Sequence, residues 1–220
     1  MKPYRLPDDS HRIVILGKTG TGKTQLGVWH LSQRAYLTRP WLVLDFKHDE
    51  LINSIDGAVH IDVGEVPKKP GIYVTHPYGS EKGSPEVDAL LWKIHQRGNC
   101  GIFVDEGFMI GPRSDAFNAI LTQGRSKRIP CITLSQRPVW MSRFVFSEAD
   151  FIQYMFLNDK RDRETVQNFT PFDVEKRLPP YHSFYYDVGR DSTVVWRPVP
   201  SGDDILASFD ERLGVRRKYI

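Results

Sequence analysis

Gly17-Lys18-Thr19-Gly20-Thr21-Gly22-Lys23-Thr24 follows directly on the apolar run Ile13-Val14-Ile15-Leu16. It satisfies G-x-x-x-x-G-K-[ST] at every fixed position, in the context that pattern needs, a buried strand before it and a helix after it. Such a loop predicts an α/β nucleotide-binding fold. Gly17, Gly20 and Gly22 let the backbone close into a ring of N–H donors around phosphates, at the positive end of the helix that starts near Lys23. Lys18, Thr19 and Thr21 complete the ring. Lys23 is expected to reach the β- and γ-phosphates of a nucleoside triphosphate, and the Thr24 hydroxyl to bind Mg²⁺. A glycine-rich turn that merely carries a lysine would not need strand, loop and helix together.

The 220 residues suit one α/β domain over 1–220, and a second independent domain is hard to fit. A hydrophobic content of 40% is enough for a packed core, yet no apolar run approaches the roughly 18 residues that span a bilayer. The N-terminus lacks the apolar centre of a signal peptide, so a soluble cytoplasmic protein is expected. Cys100 and Cys131 have no metal or redox spacing and read as small core residues. The net charge of +3 does not by itself point to nucleic acid. Basic residues do collect at 125–128, 160–163 and 216–218, where a solvated face is the simpler explanation of any one cluster.

Along the chain, apolar strands alternate with helices, which predicts a mainly parallel sheet with helices on both faces. A helix is expected over 23–35 and strands at 41–44, 59–61 and 71–74. Ser84 and Pro85 should open a helix that Gly98 ends, and Ser114 another that runs into Gly124. Strands follow around 101–104, 131–134 and 151–157, then a charged helix over 159–169. A β-hairpin spans 181–187 and 193–196, and a last helix capped at Ser201 closes the chain.

Ligands of a doubly wound sheet gather at the carboxyl ends of its strands, and the polar motifs fall at such ends. Gly101-Ile102-Phe103-Val104 ends in Asp105-Glu106. Asp105 is expected to hold Mg²⁺, and Glu106, pointing to the other side of the strand tip, to orient the water that attacks the γ-phosphate. Adjacent acids also occur at helix starts and exposed turns, but this pair follows a buried strand in a chain with a complete phosphate loop. Gln136 ends the next strand, within reach of the γ-phosphate. Arg125, in the turn before that strand, is either an arginine finger offered to a neighbouring subunit or a surface residue favourable to a helix C-terminus.

Arg125 to Pro138, with its apolar strand and Gln136-Arg137-Pro138, resembles a segment of the FtsK/HerA translocases at the same spacing. Val43-Leu44-Asp45-Phe46-Lys47-His48-Asp49 is similar to their second strand and the loop after it, with Phe46 for the usual proline and Asp49 for glutamate. With Gly17–Thr24 and Asp105-Glu106, four motifs in family order cover residues 12–140. A chain with almost nothing beyond the motor domain looks most like the genome-packaging ATPases of tectivirus-type phages and viruses, icosahedral and with an internal membrane. The resemblance implies a RecA-like ASCE fold and a Mg²⁺-dependent ATPase. It also implies a hexameric ring at a capsid vertex, acting in the host cytoplasm and the virion and pumping double-stranded DNA without regard to sequence. Residues 151–220 carry no motif. Competing readings are a DNA-transfer or virion-export ATPase, whose relatives usually carry a membrane anchor, and a P-loop small-molecule kinase, for which Arg125 to Arg128 is the sole candidate lid.

Overall fold

The computed structural model describes residues 4–80 and 82–214. The basic cluster at 216–218 lies outside the described residues. In chain order the elements are β1 (Arg12–Leu16), α1 (Lys23–Ser32), β2 (Pro40–Asp45), α2 (Glu50–Asn53), β3 (Val59–His60), β4 (Gly71–Thr75), α3 (Pro85–Arg97), β5 (Gly101–Asp105), α4 (Asp115–Gln123), β6 (Cys131–Ser135), α5 (Phe144–Ser147), β7 (Phe151–Tyr154), α6 (Lys160–Gln167), β8 (Ser183–Asp187), β9 (Ser192–Trp196) and α7 (Gly202–Leu213). Most expected elements are present with shifted ends. The first helix stops at Ser32, three residues early, and the strand expected over 151–157 stops at Tyr154. Ser84 stands at the N-cap of α3 without a side-chain capping bond, whereas Ser114 and Ser201 cap through their hydroxyls.

The nine strands form one sheet in the order β3-β4-β2-β5-β6-β1-β7-β8-β9. Its members from β3 to β7 run parallel, and the C-terminal hairpin adds β8 and β9 antiparallel. Because successive side chains of a strand point to opposite faces, a strand covered on both sides must be apolar throughout. Ile13 and Ile15 pack with α1 and α7 residues such as Leu26, Leu31, Ile205 and Phe209, while Val14 and Leu16 pack with α3 and α4 residues such as Leu90, Ile94, Phe117 and Ile120. Trp41 and Val43 against Leu42 and Leu44 repeat the alternation. Cys100 and Cys131 are free, buried thiols in these layers, and burial raises them to about 12 and about 11.

One topological detail positions the site. β6 lies between β1 and β5 and ends at Ser135, one residue before Gln136 and not at it as expected, so it separates the strand feeding the phosphate loop from the one ending in Asp105. The tips are level: Leu16 is in register with Ser135, and Asp45 with Asp105. Among the described residues no helix is long and apolar enough to cross a membrane.

Candidate nucleotide site

Beyond Leu16 the chain turns through the phosphate loop into α1. Gly17 N donates to Ser135 O at 3.3 Å and Lys18 N to Phe156 O at 2.9 Å, which tie the loop to β6 and to the segment after β7. Thr21 closes the turn, its amide and hydroxyl both donating to Lys18 O at 3.3 and 2.8 Å. Gly20 and Gly22 take positive φ values of 81° and 87°. The N-cap of α1 is Gly22, with no side-chain capping bond and no acid in the first turn. Its leading amides are therefore left for an anion, as a phosphate site requires. The loop forms one wall of a cleft of about 540 Å³ that Thr24, Lys47, Leu51 and Tyr181 also line.

Both acids at the tip of β5 are fully buried. The expected divergence of their side chains is not what the fold does. Glu106 adopts a left-handed conformation (φ 67°), and this reversal turns its carboxylate back toward the same lysines that Asp105 faces. Lys23 Nζ donates to Glu106 Oε1 at 2.9 Å and lies 3.9 Å from Asp105 Oδ1. Lys47 Nζ also donates to Glu106 Oε1 and lies 3.9 Å from Asp105 Oδ2. Two lysines thus oppose two buried carboxylates, Lys23 buried with them and Lys47 reaching in from the cleft with its side chain partly exposed. Burial pushes Asp105 up to about 6; the charge of Glu106 adds to that, and Lys23 and Lys47 offset only part of it. For Glu106 burial also acts upward, but the charges and hydrogen bonds of Lys23 and Lys47 outweigh it and hold the carboxyl below its ordinary value. Glu106 is accordingly an anion at neutral pH.

Thr24 Oγ1 donates to Asp105 Oδ1 at 3.3 Å. The other oxygen, Oδ2, is buried and makes no hydrogen bond. A hydroxyl and a carboxylate with an unused oxygen are hard donors of the kind Mg²⁺ takes, so these residues fit a divalent cation. Gln136 stands across the cleft: its amide N donates to Glu106 Oε2 at 3.3 Å, and its side-chain oxygen accepts from Thr19 Oγ1 at 2.6 Å. One glutamine thereby touches both the acid and the phosphate loop.

Lys23, Thr24, Asp105, Glu106, Gln136 and the loop residues are therefore brought together. Arg125 is not with them. It occupies the turn at the opposite end of β6, a strand's length away (roughly 16 Å at ~3.3 Å per residue), where its guanidinium pairs with Asp150 and is half exposed. Lys47 and Tyr181, to which the sequence assigns no role, also line the cleft. Lys47 follows two residues after Asp45, whose buried carboxylate accepts from Lys47 N and Asp49 N at 3.1 and 2.9 Å and so curls the loop inward. The Asp-x-Lys spelling after a buried strand was the available signal. For Tyr181 there was none, since it reads as the start of a strand.

No family model matches the chain. The solved structure of the genome packaging NTPase B204 from Sulfolobus turreted icosahedral virus 2 in complex with AMPPCP superposes with a TM-score of 0.67 at 16% identity, over 88% of this chain and 100% of that one. EssC (ATPases 2 and 3) from Geobacillus thermodenitrificans gives 0.65 at 12% identity, over 94% of this chain and 44% of that one. At such identities the likeness shows a shared RecA-like fold. The DNA packaging ATPase P9 of Enterobacteria phage PRD1 is 53% identical over 224 aligned positions, 97% of each chain. Half the positions identical along nearly the whole of both chains is more than a shared fold, and this chain belongs to the family of the phage DNA packaging ATPases.

Proposed function

We propose that this protein is an ATP-driven motor that packages double-stranded DNA into a preformed viral capsid, with residues 1–220 forming one motor domain. The observation that carries the reading is the set of four strand ends, at Leu16, Asp45, Asp105 and Ser135, that lie side by side at one end of the sheet in a member of the packaging ATPase family. Lys23 binds the β- and γ-phosphates within the amide ring of Gly17–Thr24, and Thr24 and Asp105 hold Mg²⁺. The cation, when bound, neutralises charge on the phosphate oxygens. Glu106 accepts the proton of the attacking water as its oxygen bonds to the γ-phosphorus and the bond to the β-phosphate oxygen breaks. To do so it must exchange at least one of its two lysine partners for that water. Lys23 has an alternative partner in the phosphates, which makes nucleotide binding itself the event that frees Glu106. Gln136, bonded to both Thr19 and the Glu106 carboxylate, is placed to transmit the presence of the γ-phosphate to the acid.

Arg125 acts in trans in this proposal. Its own phosphate loop lies at the other end of β6, so any catalytic role must be toward a neighbour, and a hexameric ring of subunits would supply one. The same distance argues against a small-molecule kinase, since Arg125 to Arg128 cannot close over the phosphates as a lid. The ring works in the host cytoplasm and at the packaging vertex of the virion, against capsid vertex proteins.

A packaging motor grips whatever sequence passes through it, so the contacts must be to phosphates rather than to base edges. Affinity for unrelated duplexes should then be equal, and should fall about 10²-fold or more as salt rises from about 50 mM to about 200 mM, through counterion release. Fluorescence-anisotropy titrations of several duplexes across that series make the test. A strong preference for one duplex at moderate salt would contradict the reading.

A further inference from the structure

Tyr181 is the residue from outside the phosphate-loop region that lines both the phosphate cleft and the cleft beside it. The second cleft, of about 280 Å³, lies between Lys18–Thr21 and the segment 176–182, with Leu178, Pro179 and Pro180 on its wall. Tyr181 itself is built with some force. Its backbone is left-handed (φ 62°), a conformation that residues with a β-carbon adopt rarely and that tends to persist at functional positions. Two consecutive prolines precede it, and Val199 N donates to its carbonyl at 3.2 Å. The ring is laid against the phosphate loop so closely that a β-carbon on Gly22 would stand 2.9 Å from Cδ1 and 3.4 Å from Cε1. Even so, the residue is 49% exposed. An aromatic ring fixed by strained backbone against an anion site, with much of its surface left open, is a platform for a flat apolar ligand.

We propose that Tyr181 is the stacking platform for the nucleotide's base, which leaves the phosphate cleft across the ring and lodges in the cleft bounded by Arg177, Leu178 and Pro180. This rests on the ATPase reading of the same site. Among the described residues, the side chains lining the second cleft include no Asp or Glu. A carboxylate is the group that would pair with both the N1–H and amino donors of guanine, and without one the cleft offers stacking surface and no bidentate contact selective for that base. The site takes purine nucleoside triphosphates and does not separate adenine from guanine.

Isothermal titration of Glu106→Gln protein, which keeps nucleotide uncleaved, with Mg·ATP, Mg·GTP and Mg·tripolyphosphate separates base from phosphate binding. Adding Tyr181→Ala should weaken ATP and GTP alike, by about tenfold, the low to middle range of base–aromatic stacking. Tripolyphosphate has no base and should bind both proteins equally. Adding Tyr181→Phe instead, which keeps the ring, should restore both nucleotides. Unchanged nucleotide affinity in the Tyr181→Ala protein would overturn the inference. So would a loss for tripolyphosphate as large as for ATP, which would mean that the phosphate loop had been deformed, or a preference above tenfold for one purine. Protein with Tyr181 intact that binds neither nucleotide nor tripolyphosphate overturns the ATPase reading itself.

Discussion

Glu106→Gln should lower kcat for ATP hydrolysis by about 10²–10⁴-fold, the usual contribution of a positioned general base, while ATP still binds. The substitution keeps the shape of the side chain and an oxygen that can accept from Lys23 and Lys47, which donate to Oε1 in the wild type. What it removes is the negative charge and the ability to take a proton from water. Thr24 and Asp105 are untouched, and so are the amides of the phosphate loop, so nucleotide affinity should change little or rise as the competition for Lys23 weakens. Lys23→Ala should do the reverse and lose affinity first, because it removes the cation that reaches the β- and γ-phosphates. Single-turnover hydrolysis alongside equilibrium binding distinguishes the two. Near-normal turnover by the Glu106→Gln protein would take Glu106 out of the mechanism.

Arg125→Ala should reduce turnover by about 10³-fold or more if the arginine completes a neighbour's site, since arginine fingers are worth 10³–10⁵ in kcat. The pair with Asp150 does not stand in the way. The Arg125 end of the pair is half exposed and Asp150 mostly buried, so solvent screens the arginine and its release costs on the order of 1 kcal/mol, a small cost for a side chain recruited across an interface. Asp150 keeps a second partner in Arg12 N at 2.8 Å, so the turn is not left with a stray charge. Two inactive proteins give the decisive comparison. Arg125→Ala subunits retain an intact phosphate loop, and Lys23→Ala subunits retain the arginine, so mixed rings contain some interfaces with both. Recovery of turnover on mixing is the expected result. Co-assembly without any recovery, or full activity in dilute monomer, would remove Arg125 as a shared group and turn attention to Arg128.

How much of this was legible in the chain follows from the range of the forces involved. The central strands are continuous apolar runs bounded by polar residues, so Ile13–Leu16 and Leu42–Leu44 announce themselves, and with them the phosphate loop and Asp105 at the strand tips. α2 and α5, of four residues each, are too short to show a helical period. The left-handed turn at Glu106 is a tertiary outcome. Two lysines, one at the start of α1 and one in the loop after β2, draw the carboxylate back, and nothing in Asp105-Glu106-Gly107 specifies their arrival. Lys47 was visible as part of a motif but not as a partner of Glu106, because its direction is set by Asp45 gripping the following amides. Residues 151–220 carried no motif for a related reason. β7, β8 and β9 extend the sheet, and Tyr181 faces the loop only through a proline-stiffened backbone whose conformation no periodicity records.

A translocating motor couples this cleft to duplex DNA, and the steady-state rate of ATP hydrolysis with and without double-stranded DNA measures that coupling most directly. Saturating duplex, at salt low enough for binding, should raise kcat several-fold whatever its sequence. The same addition should leave Glu106→Gln protein at its low baseline. A wild-type rate indifferent to DNA across the whole range in which DNA is demonstrably bound would contradict a translocating motor.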